Sequence, residues 1–129
     1  MSPRSTEFMD AARRRLAAAE AVADEDSSTA LSAAYYAMLY CARAALSERG
    51  VYAKTHRGAW HEFRSAFVTT GEIDAGLVAN VQKVQPEREQ ADYDAWLAPS
   101  EDTKHAIELA REFLTAVEAL LARPADAGS

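Results

Sequence analysis

The chain has 129 residues, with 14 Lys and Arg against 20 Asp and Glu, so its formal net charge at pH 7 is −6. This length fits a single domain, which we assign to residues 1–129, with a core that needs neither a metal nor a disulfide. Because the charge balance is acidic, binding of nucleic acid over the whole surface is disfavoured, and any such site must be a local basic patch.

The first predicted helix begins near Ser5 and ends at the acidic run 24–26. Apolar residues recur at helical spacing from Phe8 to Val22 and mark its buried side. The three arginines at 13–15 are consecutive, so they point in three directions and cannot hold one phosphate together. We interpret them as a solvated face.

The central predicted helix runs from Thr29 to Arg49 and stays apolar or small around almost its whole circumference. A helix with that pattern is buried on several sides. Ser27 or Ser28 is the expected N-cap, and Gly50 is expected to end the helix. Its small residues would let neighbouring helices approach closely, and its large ones would fill the space between them: Ala30, Ala33, Ala34, Ala37 and Ala44, then Leu31, Tyr35, Met38, Leu39 and Leu46.

A third helix is predicted from Thr55, as its N-cap, to about residue 70, with Gly71 as its end. One face carries His56, Trp60, Phe63 and Phe67, so we interpret His56 as a packed, hydrogen-bonded histidine. A neighbouring stripe is the best candidate for a basic patch that binds RNA or a nucleotide, although a solvated face paired with acids is the competing interpretation. The stripe consists of Lys54, Arg57, His61 and Arg64.

Helical periodicity returns from Ile73 to Trp96, and Pro86 is expected to kink this helix or to start a new one. The same periodicity places Arg88 on the inward stripe, where an arginine is costly to bury unless it has a partner or lines a groove. After Pro99 a closing amphipathic helix ends near Leu121, and residues 124–129 are expected to be a disordered tail.

Recognised catalytic and cofactor motifs are absent from the sequence. There is no phosphate loop, dinucleotide fingerprint, nucleophile elbow or pair of metal-binding cysteines, so no cofactor and no metal are expected. His56 and His61 lie about 140° apart around a helix, which makes them poor metal ligands together. The longest apolar run is about half a membrane span, and the first residues lack the apolar core of a signal peptide, so we predict a cytoplasmic protein.

Four segments taken together resemble the HEPN superfamily. They are SAAYYAMLYCARAAL in the central helix, GVYAKTHRGAWHEF at the start of the third, FVTTGEID at its end and REQADYDAW after Pro86. The resemblance covers about Leu16 to Val117 and is strongest to small stand-alone bundles that are often encoded beside minimal nucleotidyltransferases. It implies an all-α fold, an antiparallel up-and-down bundle of four to five helices that forms a homodimer.

The resemblance also implies a site. In members that are metal-independent ribonucleases, an Arg is followed after four to six residues by a His, and the site forms across the dimer. Arg88 stands at the Arg position, and Glu89 is the polar residue that often follows it. The His is absent, because Tyr93 comes after the spacer EQAD. An ordinary tyrosine has a pKa of about 10, so Tyr93 would donate a proton or stack on a base rather than accept a proton.

An alternative is purely structural: Arg88 pairs with Asp92 one turn on, and Tyr93 is an aromatic residue of an interface. Within one straight helix Arg88 and Tyr93 are about 140° apart, so only the twofold contact of a dimer would bring them together. Tyr93, Glu89 and Trp96 share one side of the helix and would suit such a contact.

Two functions from different classes follow from the resemblance. The first is a HEPN-type toxin or toxin-like component of a bacterial toxin–antitoxin pair, which binds RNA at a dimer-interface cleft around Arg88 and cleaves it if catalysis survives without the His. The second is a non-catalytic nucleotide-binding or interaction module that partners a nucleotidyltransferase. A purely structural helical dimer would leave Arg88 unexplained.

Overall fold

The computed structural model describes residues 1–93 and 97–123, and only the backbone of residues 91–93. Every regular element in these ranges is helical, which confirms the all-α prediction. The helices are α1 (Pro3–Val22), α2 (Ser27–Glu48), α3 (His56–Phe63), which continues as one π-helical segment (Arg64–Val68), α4 (Ala75–Tyr93) and α5 (Ser100–Leu121).

Helix α2 is the centre of the bundle, as its composition predicted. It packs against all four other helices, and the alanines expected to admit close neighbours are buried. Tyr35, Met38 and Leu39 are buried among them. Cys41 is fully buried as well, and burial raises the pKa of its thiol to about 12, so it is a core residue and not a nucleophile.

Polar contacts between helix ends fix the directions of the helices. The Ser2 amide donates to the Glu48 carboxylate over 2.9 Å, which joins the start of α1 to the end of α2. Arg13 pairs with Glu118 at 2.9 Å, and Arg111 pairs with Glu20 at 2.5 Å. These contacts make α1 antiparallel to both α2 and α5, as expected of an up-and-down bundle.

An aromatic cluster joins α3 to α5. The ring of Phe113 lies 5.8 Å from Trp60 and 5.5 Å from Phe63, measured between centroids. Trp60, Phe63 and Phe67 are buried, which confirms the apolar face predicted for the third helix. This cluster holds α3 against the bundle and so fixes the position of His56 at its first turn.

The helix ends mostly follow the sequence signals. Gly50 (φ 69°) and Gly71 (φ 78°) adopt the left-handed conformation that ends a helix, and Thr55 caps α3. The predicted serine cap of α2 was wrong. The N-cap is Asp26, whose side chain accepts a hydrogen bond from the Thr29 amide. Ser27 and Ser28 bond instead to the carbonyl and the amide of Ala98, just before α5.

Pro86 lies inside α4, so no new helix starts there. Proline lacks the amide hydrogen that would bond to the carbonyl one turn earlier, yet the surrounding packing keeps the segment helical. None of the described helices is long and apolar enough to cross a membrane. Trp96 and the expected tail at 124–129 lie outside the described residues.

Candidate functional site

Arg88 lies on α4 with its side chain only 13% exposed. Its guanidinium carbon is 5.2 Å from the ring centre of Tyr35 and 5.4 Å from that of Tyr36, both on α2. These are cation–π distances, and the attraction of the two rings offsets part of the cost of withdrawing the charge from water. Two consecutive tyrosines of the central helix thus hold one arginine in a defined place.

His56, the first residue of α3, lies at the same place. Its ring centre is 5.8 Å from that of Tyr35 and 5.7 Å from that of Tyr36, which it meets edge-on. The indole nitrogen of Trp60 donates to the Tyr35 hydroxyl over 3.2 Å, and that hydroxyl lies 3.4 Å from Nδ1 of His56. The hydrogen bond between the Tyr35 hydroxyl and Nδ1 runs in either direction, depending on which imidazole nitrogen carries the hydrogen. The predicted hydrogen bonding of His56 is confirmed.

The electrostatics of this place favour a neutral imidazole. Burial lowers the pKa of His56 below its ordinary value, and the positive charges of Arg88 and Arg43 lower it further, while Glu89 acts in the opposite direction. Burial raises the pKa of the Tyr35 hydroxyl, so Tyr35 stays protonated. His56 is therefore uncharged near pH 7 and able to exchange a proton.

Glu89 forms the outer edge of the site. One of its carboxylate oxygens lies 3.7 Å from Nη2 of Arg88, and its side chain is 56% exposed. The same oxygen accepts from the Gln85 amide over 3.0 Å. An exposed ion pair at this distance is weak, so Glu89 only partly offsets the charge of Arg88. We name the group formed by Arg88, Tyr35, Tyr36, His56 and Glu89 the Arg88 site.

Arg43 fixes the loop that leads into α3. Its Nη1 donates to the Ala53 carbonyl over 2.6 Å. The bond ties the chain just before His56 to the central helix, so the imidazole is held from two sides. Arg43 thereby both orients His56 and adds to the positive charge that keeps it neutral.

The side chains of Asp92 and Tyr93 lie outside the described residues, as does Trp96. The catalytic role predicted for Tyr93, the pairing of Arg88 with Asp92 and the dimer contact through Trp96 therefore stay predictions.

The α3 stripe, Lys54, Arg57, His61 and Arg64, is separate from the Arg88 site. Lys54, Arg57 and His61 are exposed, and Arg64 is half-buried with its Nε donating to Gln82 on α4. None of these four side chains contacts Arg88 through any described hydrogen bond or ion pair. Its role in binding RNA or a nucleotide stays a prediction.

Sequence reasoning placed Arg88 in this site and missed His56, Tyr35 and Tyr36 as its neighbours. The signal available was a pair of adjacent tyrosines in a helix rich in alanine. Among the described residues no group of three His, Cys, Asp or Glu side chains could hold a metal ion.

Comparison with known proteins agrees with this architecture. The family model for the HEPN domain matches residues 5–120. The chain belongs to the HEPN family. The resemblance drawn from the four sequence segments is therefore confirmed over most of the chain.

Two relatives extend the comparison. A protein of Methanocaldococcus jannaschii named "Putative toxin" is 36% identical over 66 residues, which is 51% of this chain and 45% of the relative. A protein of Gloeobacter violaceus named "UPF0332 protein" is 36% identical over 74 residues, 57% of this chain and 59% of the relative. The chain spans about half the length of the relatives that it matches.

Proposed function

We propose that this HEPN domain is a toxin-like component of a toxin–antitoxin pair, and that it binds and cleaves RNA at the Arg88 site. The observation that carries the proposal is a largely buried guanidinium held on two tyrosine rings beside a neutral imidazole. The relative named as a toxin supports the toxin-like role.

The chemistry of the site suits a phosphodiester. The guanidinium of Arg88 is always charged, and its planar fork of donors matches two phosphate oxygens. Withdrawal from water strengthens its attraction for an anion, since the effective dielectric constant around it falls. A phosphate bound there would meet a positive charge that Glu89 offsets only in part.

Cleavage needs one further group, and His56 is the candidate. The 2′-oxygen of the RNA would attack the adjacent phosphorus and form a bond to it, while the bond from phosphorus to the 5′-oxygen breaks. His56, with its hydrogen on Nδ1 and directed at the Tyr35 hydroxyl, would accept the proton of the 2′-hydroxyl at Nε2, and water would supply a proton to the departing 5′-oxygen. Arg88 would stabilise the charge that develops on the phosphate oxygens. Tyr93, at the position of the family's usual His, would donate a proton or stack on a base.

Assembly as a homodimer belongs to the same proposal, since the family's site forms across two chains. The expected contact uses α4 around Glu89 and Tyr93 together with Trp96. Replacing Trp96 by Ala should weaken the dimer by about 2 kcal/mol or more if its ring is a central anchor. Sedimentation of the unaltered protein as a monomer at micromolar concentration would count against a dimeric site.

A second possible function has the same fold but no catalysis. It is a non-catalytic module that binds a nucleotide and partners a nucleotidyltransferase. The observation that favours it is the tyrosine at position 93, where ribonuclease members carry a histidine. Such a module would use Arg88 to hold a nucleotide phosphate and would leave RNA uncut.

The experiment compares growth on expression and cleavage of total RNA by purified protein for three variants. Arg88→Ala should relieve growth inhibition and abolish cleavage, whereas Arg111→Ala, at a surface pair with Glu20, should do neither. Tyr93→His restores the family's usual Arg and His pair and should raise cleavage if position 93 contributes to the reaction. RNA that stays intact with the parent and with Tyr93→His, while nucleotide binding still requires Arg88, would establish the non-catalytic module instead.

A further inference from the structure

Helix α2 exposes one narrow stripe between its buried positions. Over residues 30–46 the side chains that reach the surface are Ser32, Tyr36, Tyr40 and Arg43, and all others are buried. The stripe begins in the Arg88 site, because Tyr36 is one of the two rings that hold Arg88. It then runs along α2 away from that site.

Arginines and aromatic rings alternate along this stripe and the facing side of α1. The guanidinium of Arg15 lies 5.5 Å from the ring centre of Tyr36 and 5.7 Å from that of Tyr40. Tyr40 stacks on Phe8 of α1 with centroids 6.1 Å apart. Arg4 lies 5.4 Å from the ring centre of Phe8 and 5.3 Å from that of Tyr52. The contacts therefore form an unbroken sequence from Arg88 to Tyr52.

The far end meets a shallow surface depression. It lies between α1, α2 and the loop before α3, and is lined by Arg4, Phe8, Arg43 and Tyr52 among others. Tyr52 is 67% exposed, one of the few large aromatic side chains of the described residues that face water. We name the surface formed by Arg4, Phe8, Arg15, Tyr36, Tyr40, Arg43 and Tyr52 the arginine–tyrosine face.

These arginines differ from those that join the helices. Arg13, Arg49 and Arg111 pair with carboxylates at 2.5–2.9 Å. Among the described residues, Arg4 and Arg15 form no ion pair and lie on aromatic rings instead. Their charges are not neutralised by a neighbouring acid, although the chain as a whole carries a net charge of −6. This is the local basic patch that an acidic protein needs in order to bind nucleic acid.

We propose that the arginine–tyrosine face is a binding track for single-stranded RNA that leads the strand into the Arg88 site. The inference rests on the proposed function, since it supplies the substrate class of that site. Bases stack on aromatic rings and on guanidinium planes, and arginines contact the phosphates between them. The track follows α1 from Arg4 to Arg15, about 16 Å along the helix axis, a length that several nucleotides of a single strand cover. A duplex keeps its bases stacked inside and cannot use such a surface.

The test measures fluorescence anisotropy of labelled RNA with matched charge variants. Arg15→Glu changes the track, and Arg14→Glu makes the same charge change on the neighbouring residue, about 100° around α1 and also exposed. Each is titrated with a 12-nucleotide single strand, a duplex of that sequence and a trinucleotide. Circular dichroism and thermal unfolding confirm that each variant is folded.

Arg15→Glu should weaken binding of the 12-nucleotide strand roughly tenfold and lower the salt slope by about 1, while Arg14→Glu changes affinity less than about twofold. Tyr40→Leu, which keeps apolar volume but removes the stacking ring, should weaken it about fivefold or more. Binding of the trinucleotide should fall only with Arg88→Ala. The parent should prefer the single strand to the duplex.

The outcomes separate the two proposals. Equal binding of the long strand by the Arg15→Glu, Arg14→Glu and parent proteins would overturn the track, and loss with Arg88→Ala in that case would leave the Arg88 site standing. Loss with Arg15→Glu but not with Arg88→Ala would support the track and contradict the proposed function. If Arg15→Glu alters the sedimentation of the protein and not its RNA binding, the face is a protein interface and the track is wrong.

Discussion

Two basic regions of this acidic protein differ in how their charges are held. The α3 stripe presents Lys54, Arg57 and His61 to solvent, with Arg64 bonded to Gln82. The Arg88 site and the arginine–tyrosine face instead hold Arg88, Arg15 and Arg4 on aromatic rings, with the guanidinium carbon 5.2–5.7 Å from the ring centres. Exposed charges are mobile and screened by salt, whereas stacked guanidinium groups are already oriented.

This difference indicates that the way in which charged side chains are held identifies a binding site better than the number of charges along a stretch of sequence. An arginine stacked on a ring has lost its rotamer freedom before a ligand arrives, so a phosphate that binds there orders less. An arginine on an open helix face must be ordered when the ligand binds. We therefore expect the largest effects of substitution at the Arg88 site and smaller ones at the α3 stripe.

The largest effect expected beyond Arg88 itself is on cleavage, through His56. His56→Gln keeps an amide that can accept a hydrogen bond from Tyr35 but cannot exchange a proton. Cleavage of RNA should fall about 100-fold or more, while the affinity for a short single strand stays close to that of the parent. Cleavage assays under single-turnover conditions, with binding measured on the same preparation, check this. Unaltered cleavage by His56→Gln would show that the base lies elsewhere, and Tyr93→Phe would then be the variant to compare.

A smaller effect is expected at the α3 stripe. Arg57→Glu together with Arg64→Glu should weaken RNA binding less than Arg15→Glu alone does, because exposed charges away from the track act through a screened field. Titrations at low and at physiological salt measure the difference. A loss of affinity larger than that of Arg15→Glu, together with an unchanged melting temperature, would make the α3 stripe the main RNA contact and reverse the comparison.

The smallest effect concerns stability and pH. The pKa of His56 is lowered from 6.5 in the folded protein, so between the folded and the unfolded value the unfolded chain binds more protons. Stability should therefore rise with pH across this window. The contribution of His56 to stability should be lost progressively as the pH falls below about 6.5. His56→Gln should remove that part of the dependence.

Thermal unfolding of parent and His56→Gln at about pH 7.5 and 5.5 measures the difference. Glu48 and Glu72 have lowered pKa values too, through hydrogen bonds with Ser2, Ser5 and Thr70. They are present in both proteins, so their contribution cancels in the comparison. Parallel pH profiles for the two proteins would show that the environment of His56 is the same in the folded and unfolded chains.

Much of the fold could be predicted from the sequence because its signals are local. The all-round apolar pattern identified α2 as the central helix, and Gly50 and Gly71 ended their helices as expected. The cap of α2 was wrong because Asp26, Ser27 and Ser28 are all good caps, and the choice depends on Ala98, which is distant in sequence. Sequence patterns cannot rank equal local options when tertiary contacts decide between them.

The candidate site was less accessible to prediction for the same reason. Arg88 could be singled out because it carries a charge on an apolar stripe. His56 was assigned correctly to a packed position, but nothing in its own helix shows that the ring meets Arg88, which lies on α4. The arginines at 13–15 were interpreted as a solvated face, and all three are exposed, but that pattern does not reveal that Arg13 pairs with Glu118 or that Arg15 lies on Tyr36 and Tyr40. Such contacts between elements require the folded structure.

The central claim is that Arg88, held on Tyr35 and Tyr36, binds the phosphate of an RNA strand. Its most direct test is the dissociation constant of a short single-stranded RNA for the parent, Arg88→Ala and the control Arg111→Ala, each shown by circular dichroism to be folded. We expect Arg88→Ala to weaken binding about tenfold or more, since a charged hydrogen bond contributes about 1.5–3 kcal/mol, and Arg111→Ala to bind like the parent. A folded Arg88→Ala protein that binds the RNA as tightly as the parent would contradict the claim.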